Sequence, residues 1–217
     1  MSSSAPLASV VVPSFNHARY LEDALRSVAA QNHEALELIV VDDASSDASV
    51  QVARAVLEEP SVRDRFAGRV QLLTSPTTRG AHAAINRGLE AAGGAILTVL
   101  NSDDRYAPDR IRELAAALRQ TGSMLAFSRV EYIDESSQPL PASGDVFRLR
   151  RHQAGIDRAP SVGFACMCSN VAISSDRLSE LPVMGSFGWE GASGIHFLRY
   201  HFFVLISDAR LGVAVRC

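Results

Sequence analysis

No apolar run in this chain approaches the ~20 residues needed to cross a membrane; the longest candidate, 202–206, is far shorter. The first six residues, Met1 to Pro6, lack the basic and apolar regions of a secretory signal and read as a lead-in through residue 7. Cysteine is scarce and odd in number: Cys166, Cys168 and Cys217 make no disulfide framework and lack the paired spacing of a zinc site, which suggests inert thiols in a reducing cytosol. Charge of one sign is also missing. A net charge of −3 offers no electrostatic case for nucleic-acid binding. Two phosphate signatures are absent as well. The turn after the first apolar run has no G-x-G-x-x-G, which argues against a dinucleotide oxidoreductase, and no G-x-x-x-x-G-K-[ST] removes the P-loop phosphotransferases.

What is present is a soluble, globular composition, 47% hydrophobic and 21% charged over 217 residues, enough for one sizeable domain. Its first half alternates regularly. Ser9–Pro13, Leu36–Val41, Val70–Thr74 and Ala95–Leu100 are short, β-branched or apolar runs that read as strands. Between them, Leu21, Ala24, Leu25 and Val28, then Val50, Ala53, Val56 and Leu57, then Ala81, Ala84, Ile85, Gly88 and Leu89 follow helical spacing. Ser46 or Asp47 is the expected cap of the second of these helices. Pro108 is expected to open a further helix with Ile111, Leu114, Ala115 and Leu118 on one face. Strand and helix in alternation predict βαβ units, a mostly parallel sheet and strand ends gathered on one edge, where open α/β folds bind ligands.

The second half is less regular. A strand is expected within Met124–Val130, continuing through Glu131–Ile133, and another within Phe164–Ile173, with Ser174 or Ser175 capping a short helix through Leu181. Ser136–Gly144 reads as a loop, Arg148–His152 as a solvated basic run, and Gly185–Gly194 as a glycine-rich stretch holding Trp189 and Glu190.

The expected ligand edge collects four segments. Asn101-Ser102-Asp103-Asp104 ends the fourth strand with two adjacent carboxylates, a costly pairing unless water, donors or a cation compensate it. Alone, such a pair is more often a solvated turn. Pro13-Ser14-Phe15-Asn16 ends the first strand; Phe15 can stack on a base and Asn16 bond a polar edge, although taken by itself Phe15 is better explained as core. Asp42 and Asp43 end the second strand and are freer for a ligand than the capping residues that follow them. Arg79 and His82 flank the third helix entry, where a basic side chain suits a diphosphate or simply solvent.

Taken in order over residues 8–120, these pieces (VVVPSFN, YLEDALRSVAAQ, LELIVVDDASSD, RGAHAAINRGLEAAGGAILTVLNSDDRYAPDRI) resemble a family 2 glycosyltransferase with the nucleotide-binding GT-A fold. The resemblance implies an α/β fold: a Rossmann-like, mostly parallel sheet flanked by helices, with a nucleotide-sugar-binding half at 8–120 and a less regular acceptor-side half at 121–217. It implies inverting hexosyl transfer from a nucleotide-diphosphate sugar, a UDP-sugar by expectation, to a glycan or lipid-linked acceptor. Polysaccharide biosynthesis in the cytoplasm, with peripheral contact at the inner membrane face, goes with it. Pro13, Phe15 and Asn16 match the segment around the nucleotide base; Asp43 matches the acid that reads the base, with Asp42 more structural. Asp103 and Asp104 match the D-x-D-type element, Asp103 toward ribose or sugar and Asp104 toward Mg²⁺ or Mn²⁺. Asn101 stands where many relatives carry the first Asp. Asn170 falls in what resembles the small-residue strand beside the acceptor.

The late region departs from the family pattern. The expected acidic pair falls near Ser193-Gly194, which has no carboxylate, so Glu190 is the candidate general base and His196 the nearest other proton acceptor. That departure keeps open a non-catalytic nucleotide-sugar-binding or assembly subunit on the same fold. A nucleotidyltransferase is the more distant rival, because Ser14–Ala18 is not the glycine-rich basic loop it would need.

Overall fold

A computed structural model describes residues 5–123, 125–128, 133–134, 137–138 and 171–176. Its elements are β1 (Ala8–Ser14), α1 (Ala18–Ala29), β2 (Leu36–Asp42), α2 (Ser49–Glu58), α3 (Pro60–Arg65), β3 (Val70–Thr74), α4 (Ala81–Ala91), β4 (Ile96–Val99), α5 (Arg110–Thr121), β5 (Leu125–Phe127) and β6 (Val171–Ser174). The strands form one sheet in the order β3-β2-β1-β4-β6-β5. β1 pairs parallel with β2 and β4, and β2 with β3; β6 is antiparallel to both β4 and β5. The sheet is therefore mostly parallel, as the alternating pattern predicts, with an antiparallel margin built from the second half.

Every residue of β1 and β2 is buried. That is the reason these strands are continuous apolar runs: helices cover both faces of a parallel sheet. Successive side chains point to opposite faces. Val10, Val12, Leu38 and Val40 pack with Leu21, Leu25 and Val28 of α1, Val56 and Leu57 of α2, and Ile111 and Leu114 of α5. Val11, Ile39, Val41 and Val99 pack with Ala84 and Ile85 of α4 on the other side. Gly88 brings α4 close to the sheet, since a Cβ there would lie 2.3 Å from Val11 Cγ1.

Several local expectations shift. α5 opens at Arg110, two residues after Pro108, and its Ile111 N–H is capped from α1's end by Gln31 Oε1 at 3.0 Å. α2 opens at Ser49 without a side-chain cap from Ala48; Asp47, one of the two expected caps, accepts the Ser49 N–H at 2.9 Å, whereas Ser46 donates to Asn16 instead. The sequence pattern did not reveal α3, although Pro60 sits in its first turn and it buries Val62, with Phe66 buried immediately after it. Its Arg65 donates to the carbonyls of Ala29, Gln31 and His33, closing the end of α1 and the turn beyond it. β5 and β6 occupy parts of the two strands expected in the second half. The loop at 136–144 beyond residues 137–138, the basic run at 148–152, the helix through Leu181, the glycine-rich stretch, all three cysteines, Asn170, Glu190 and His196 lie outside the described residues. Among the described residues no helix is long and apolar enough to cross a membrane.

Candidate functional site

The parallel strands β1 to β4 end on one edge of the sheet. With β1 flanked by β2 and β4, the strand order reverses there, the position at which such sheets leave a crevice. The four loops beyond these ends carry the residues singled out from sequence, and side-chain hydrogen bonds join the loops to one another.

The first and second loops are clasped. Asn16 takes a left-handed backbone conformation, φ 54°, which asparagine tolerates better than most residues. Its Oδ1 accepts the Ser46 N–H at 2.8 Å and the Ser46 hydroxyl at 3.2 Å, and its own N–H donates to Ser45 Oγ at 2.9 Å. The start of α1 is capped from the same loop, His17 N–H by Ser49 Oγ and Ala18 N–H by Asp47 Oδ2, each at 3.0 Å. Burial disfavours the charged form of Asp47, but the Ser49 hydroxyl and the Ala18 and Ser49 N–H groups, with His17 nearby, hold its carboxyl below the usual range. Asn16 is thus a structural hinge-pin, with its carboxamide oxygen already committed.

This clasp turns Phe15 outward. It is 46% exposed and the large apolar side chain that stands out from an otherwise buried set. Phe15 is therefore not the core residue that its hydrophobicity taken alone suggests: β1 ends at Ser14, and the left-handed residue that follows redirects the chain. Pro13 stays within β1, buried and in register with Val41.

The second and third loops meet at Asp43. Its carboxylate accepts the Thr78 hydroxyl at 2.7 Å, the Arg79 N–H at 2.9 Å and the Gly80 N–H at 2.7 Å. Burial raises its pKa, but these donors, assisted by His82, leave it lower than normal. The Asp43 oxygens thus also frame the entry to α4. Asp42 is different. Its Oδ2 accepts the Ser45 N–H at 2.9 Å, while its buried Oδ1 and the buried Ser14 Oγ have no partner among the described residues. Ser14 and Asp42 are register partners, so these two orphaned polar atoms belong to neighbouring strand ends.

The fourth loop carries the acid pair. Asp103 is exposed and Asp104 half-buried. Asp104 closes a turn by donating its N–H to Asn101 O at 3.0 Å, and Asn101 Nδ2 donates to Asp104 Oδ2 at 3.2 Å. Ser102, between them, is buried and hydrogen-bonded to His17 Nδ1 at 2.8 Å. Beyond the turn, Tyr106 Oη donates to Val99 O at 2.7 Å, and the Arg110 guanidinium lies 3.9 Å from the centre of the Tyr106 ring. The loop is therefore fastened back onto β4. Among the described residues no group of three or more His, Cys, Asp or Glu side chains is arranged to hold a metal ion.

Sequence reasoning passed over His17, Asp47's second role in capping α1, Thr78, Tyr106 and Arg110. Arg110 left a readable signal: it precedes Leu114 by four residues and Ala117 by seven, which puts it on the buried face of α5. His17 and Thr78 act across distant loops and left none.

The chain resembles known proteins over the same region. The putative teichuronic acid biosynthesis glycosyltransferase TuaG of Bacillus subtilis is 30% identical over 140 residues, 64% of this chain and 53% of that protein. The succinoglycan biosynthesis protein ExoO of Rhizobium meliloti is 30% identical over 135 residues, 62% of this chain and 36% of that one. An uncharacterized glycosyltransferase of Haemophilus influenzae is 31% identical over 129 residues, 59% of this chain and 49% of its own length. The chain thus spans about half the length, or less, of these relatives. Among solved structures, S. aureus TarS 1–349 in complex with UDP superposes with a TM-score of 0.66 at 18% identity, covering 97% of this chain and 57% of that one. The mannosyltransferase PcManGT from Pyrobaculum calidifontis, in complex with GDP-Man and Mn²⁺, gives 0.63 at 20% identity, covering 100% of this chain and 55% of that one. At such identities the superpositions bear on the fold, which is the GT-A architecture expected from the sequence. The family assignment rests on sequence: residues 9–180 match Glycosyl transferase family 2, to which this chain belongs.

Proposed function

We propose that this chain transfers a hexosyl unit, with inversion, from a nucleoside-diphosphate sugar, a UDP-sugar, to a glycan or lipid-linked acceptor in polysaccharide assembly. The observation that carries the proposal is the sheet edge itself: loops locked together by Asn16, Asp47, Asp43 and His17 present an exposed Phe15 together with Asp103 and Asp104. An aromatic face offers a stacking surface for a base. Pro13, Phe15, Asn16, Asp42, Asp43 and Asp103 are the proposed nucleotide pocket, and the orphaned Asp42 Oδ1 and Ser14 Oγ are polar groups for ligand or bound water to satisfy. Relatives named for teichuronic acid and succinoglycan biosynthesis, and fold neighbours solved with UDP, UDP-GlcNAc or GDP-Man, support this reading.

Mg²⁺ or Mn²⁺ fits the donor set at Asp104, whose carboxylate is a hard oxygen ligand. With no third acidic or imidazole ligand grouped there among the described residues, the diphosphate oxygens are the natural complement. Such a cation supplies charge neutralisation on the departing diphosphate. Asp103 is assigned to the ribose or sugar hydroxyls. Glu190 is assigned, on its position in the sequence alone, to take the acceptor hydroxyl's proton as that oxygen bonds to the anomeric carbon from the face opposite the leaving group. The donors are cytoplasmic metabolites, which places the work in the cytoplasm, with peripheral contact at the membrane where the acceptor is lipid-linked.

The test is thermal denaturation with UDP, with and without Mn²⁺. A UDP-dependent rise in Tm that needs the metal supports the reading, and identical curves with and without UDP sink it. Binding of UDP without turnover of any UDP-sugar would favour the assembly-subunit alternative instead.

A further inference from the structure

We propose that His17 is a positioning residue: its ring ties the loop bearing Phe15 to the loop bearing Asp103 and Asp104, so that the acid pair is set in place relative to the aromatic platform. The proposal rests on the nucleotide-sugar reading above for its functional meaning, and on geometry for its substance.

His17 is anchored independently of the bond it makes. Its N–H donates to Ser49 Oγ at 3.0 Å, and its carbonyl accepts the N–H groups of Tyr20 and Leu21, each at 3.0 Å, in the first turn of α1. The ring meets Tyr20 edge-on, with centroids 6.3 Å apart. From this fixed base Nδ1 reaches Ser102 Oγ at 2.8 Å, across 85 residues of sequence. Ser102 is 3% exposed, so its hydroxyl has little access to competing water. Asp103 and Asp104 follow it directly. On the other side Phe15 lies two residues before His17, redirected by the left-handed Asn16. The strut therefore runs from a rigid helix start to the residue preceding the acid pair. Neither His17 nor Ser102 has to touch a ligand to affect how one is held.

The chemistry of imidazole makes the role separable from simple packing. Asparagine places a polar atom near the position of Nδ1, whereas glutamine places one near Nε2. The variants are His17→Phe, His17→Asn, His17→Gln, Ser102→Ala and the double variant His17→Phe/Ser102→Ala. The first readout is hydrogen–deuterium exchange of residues 101–104 in the nucleotide-free protein, with the Asp104 N–H as reporter. Loss of one net hydrogen bond should speed exchange there by about 2- to 10-fold in His17→Phe and in Ser102→Ala. The double variant should be no faster than either single variant. His17→Asn should return exchange to near the original rate, and His17→Gln should not. The second readout is the Mn²⁺ concentration for half-maximal UDP binding, which should rise about 3- to 10-fold in the same variants and recover in His17→Asn.

Unchanged exchange in both single variants overturns the proposal. So do additive effects in the double variant, or rescue by glutamine equal to that by asparagine. Because the exchange measurement uses no nucleotide, a protein that fails to bind UDP would refute the donor reading while the strut is still judged on its own.

Discussion

Asp43 Oδ2 accepts the Gly80 N–H at 2.7 Å, joining the end of β2 to the entry of α4 across 37 residues. Gly80 itself has φ 89°, a conformation that favours glycine. One carboxylate thus fixes the loop that leads into a helix packed on the opposite face of the sheet from α1, α2 and α5.

The ionisation of Asp43 makes this bond measurable. Its carboxyl is held below its ordinary value of 3.8, because the Arg79, Thr78 and Gly80 donors outweigh burial. A group whose pKa is depressed by folding adds stability above its unfolded value and gives it up as pH falls through the folded one. Asp43→Asn should therefore lower Tm by a constant amount between pH 8 and about pH 5. The gap should narrow below that as the original carboxylate protonates. A gap independent of pH down to acid unfolding would show that the charge is not what the loop uses. Near neutrality the cost should be about 1–3 kcal/mol, the usual effect of weakening charge-assisted bonds to buried donors.

Gly88→Ala tests how tightly α4 lies on the sheet. The added methyl would sit 2.3 Å from Val11 Cγ1 and 3.2 Å from Val41 Cγ2, both on fully buried strands. Overpacking of this kind costs roughly 1–3 kcal/mol, and alanine's better helix propensity returns about 1 kcal/mol of it. Urea denaturation should show a net loss. Adding Val11→Ala should cost less in the Gly88→Ala protein than in the original, since it vacates the space the new methyl needs. Equal costs in both backgrounds would mean the helix simply lifts away.

How far the sequence carried these readings depends on the range of the interaction involved. β1, β2 and β4 were legible because burial on both faces leaves an unbroken apolar run such as Val10–Val12 or Leu38–Val41, while the part-buried edge strand β3 was read from its apolar residues Val70, Leu72 and Leu73. α1 and α4 were legible from spacing. α3 was not: six residues give too few turns for a periodic signal, and its work is done by Arg65 on carbonyls more than thirty positions away. Hydrophobicity alone would put Phe15 in the core, because it cannot report that Asn16 will turn the chain outward. The donors to Asp43 left no signal because they come from a loop with no recognisable pattern. The acid pair at 103–104 was placed correctly at a strand end, but the Tyr106 and His17 bonds that hold its loop belong to packing rather than to local propensity.

Glu190→Gln probes the proposed base. The substitution keeps size and removes proton-accepting charge, so UDP binding should persist while sugar transfer falls by 10²-fold or more, about the usual contribution of general-base catalysis. Transfer at the original rate, followed by UDP release, would dismiss Glu190.

Asp104→Ala separates metal from nucleotide. If its carboxylate shares the cation with the diphosphate, the variant should lose the Mn²⁺-dependent part of the UDP thermal shift and keep the metal-independent part. Half-burial of Asp104 and its turn with Asn101 predict a small stability cost as well, about 1 kcal/mol for the lost Asn101 Nδ2 bond. Asp104→Asn retains an acceptor for that bond, so it should spare stability while still weakening the metal effect. An Mn²⁺ response preserved in both variants would move the cation elsewhere.

Phe15→Ala isolates the aromatic platform. With 46% of the residue exposed, its removal should change stability by no more than about 0.5 kcal/mol, the usual range for surface substitutions. Stacking on a base is worth about 1–3 kcal/mol, so UDP affinity should fall by about 5- to 150-fold. Phe15→Tyr and Phe15→Trp keep a ring and should retain most of the binding, whereas Phe15→Leu keeps apolar area without a π face and should behave nearer to alanine. Calorimetric titration with UDP across the four variants decides the matter: affinity that follows side-chain area rather than aromaticity would make Phe15 a wall of the pocket and not a stacking surface.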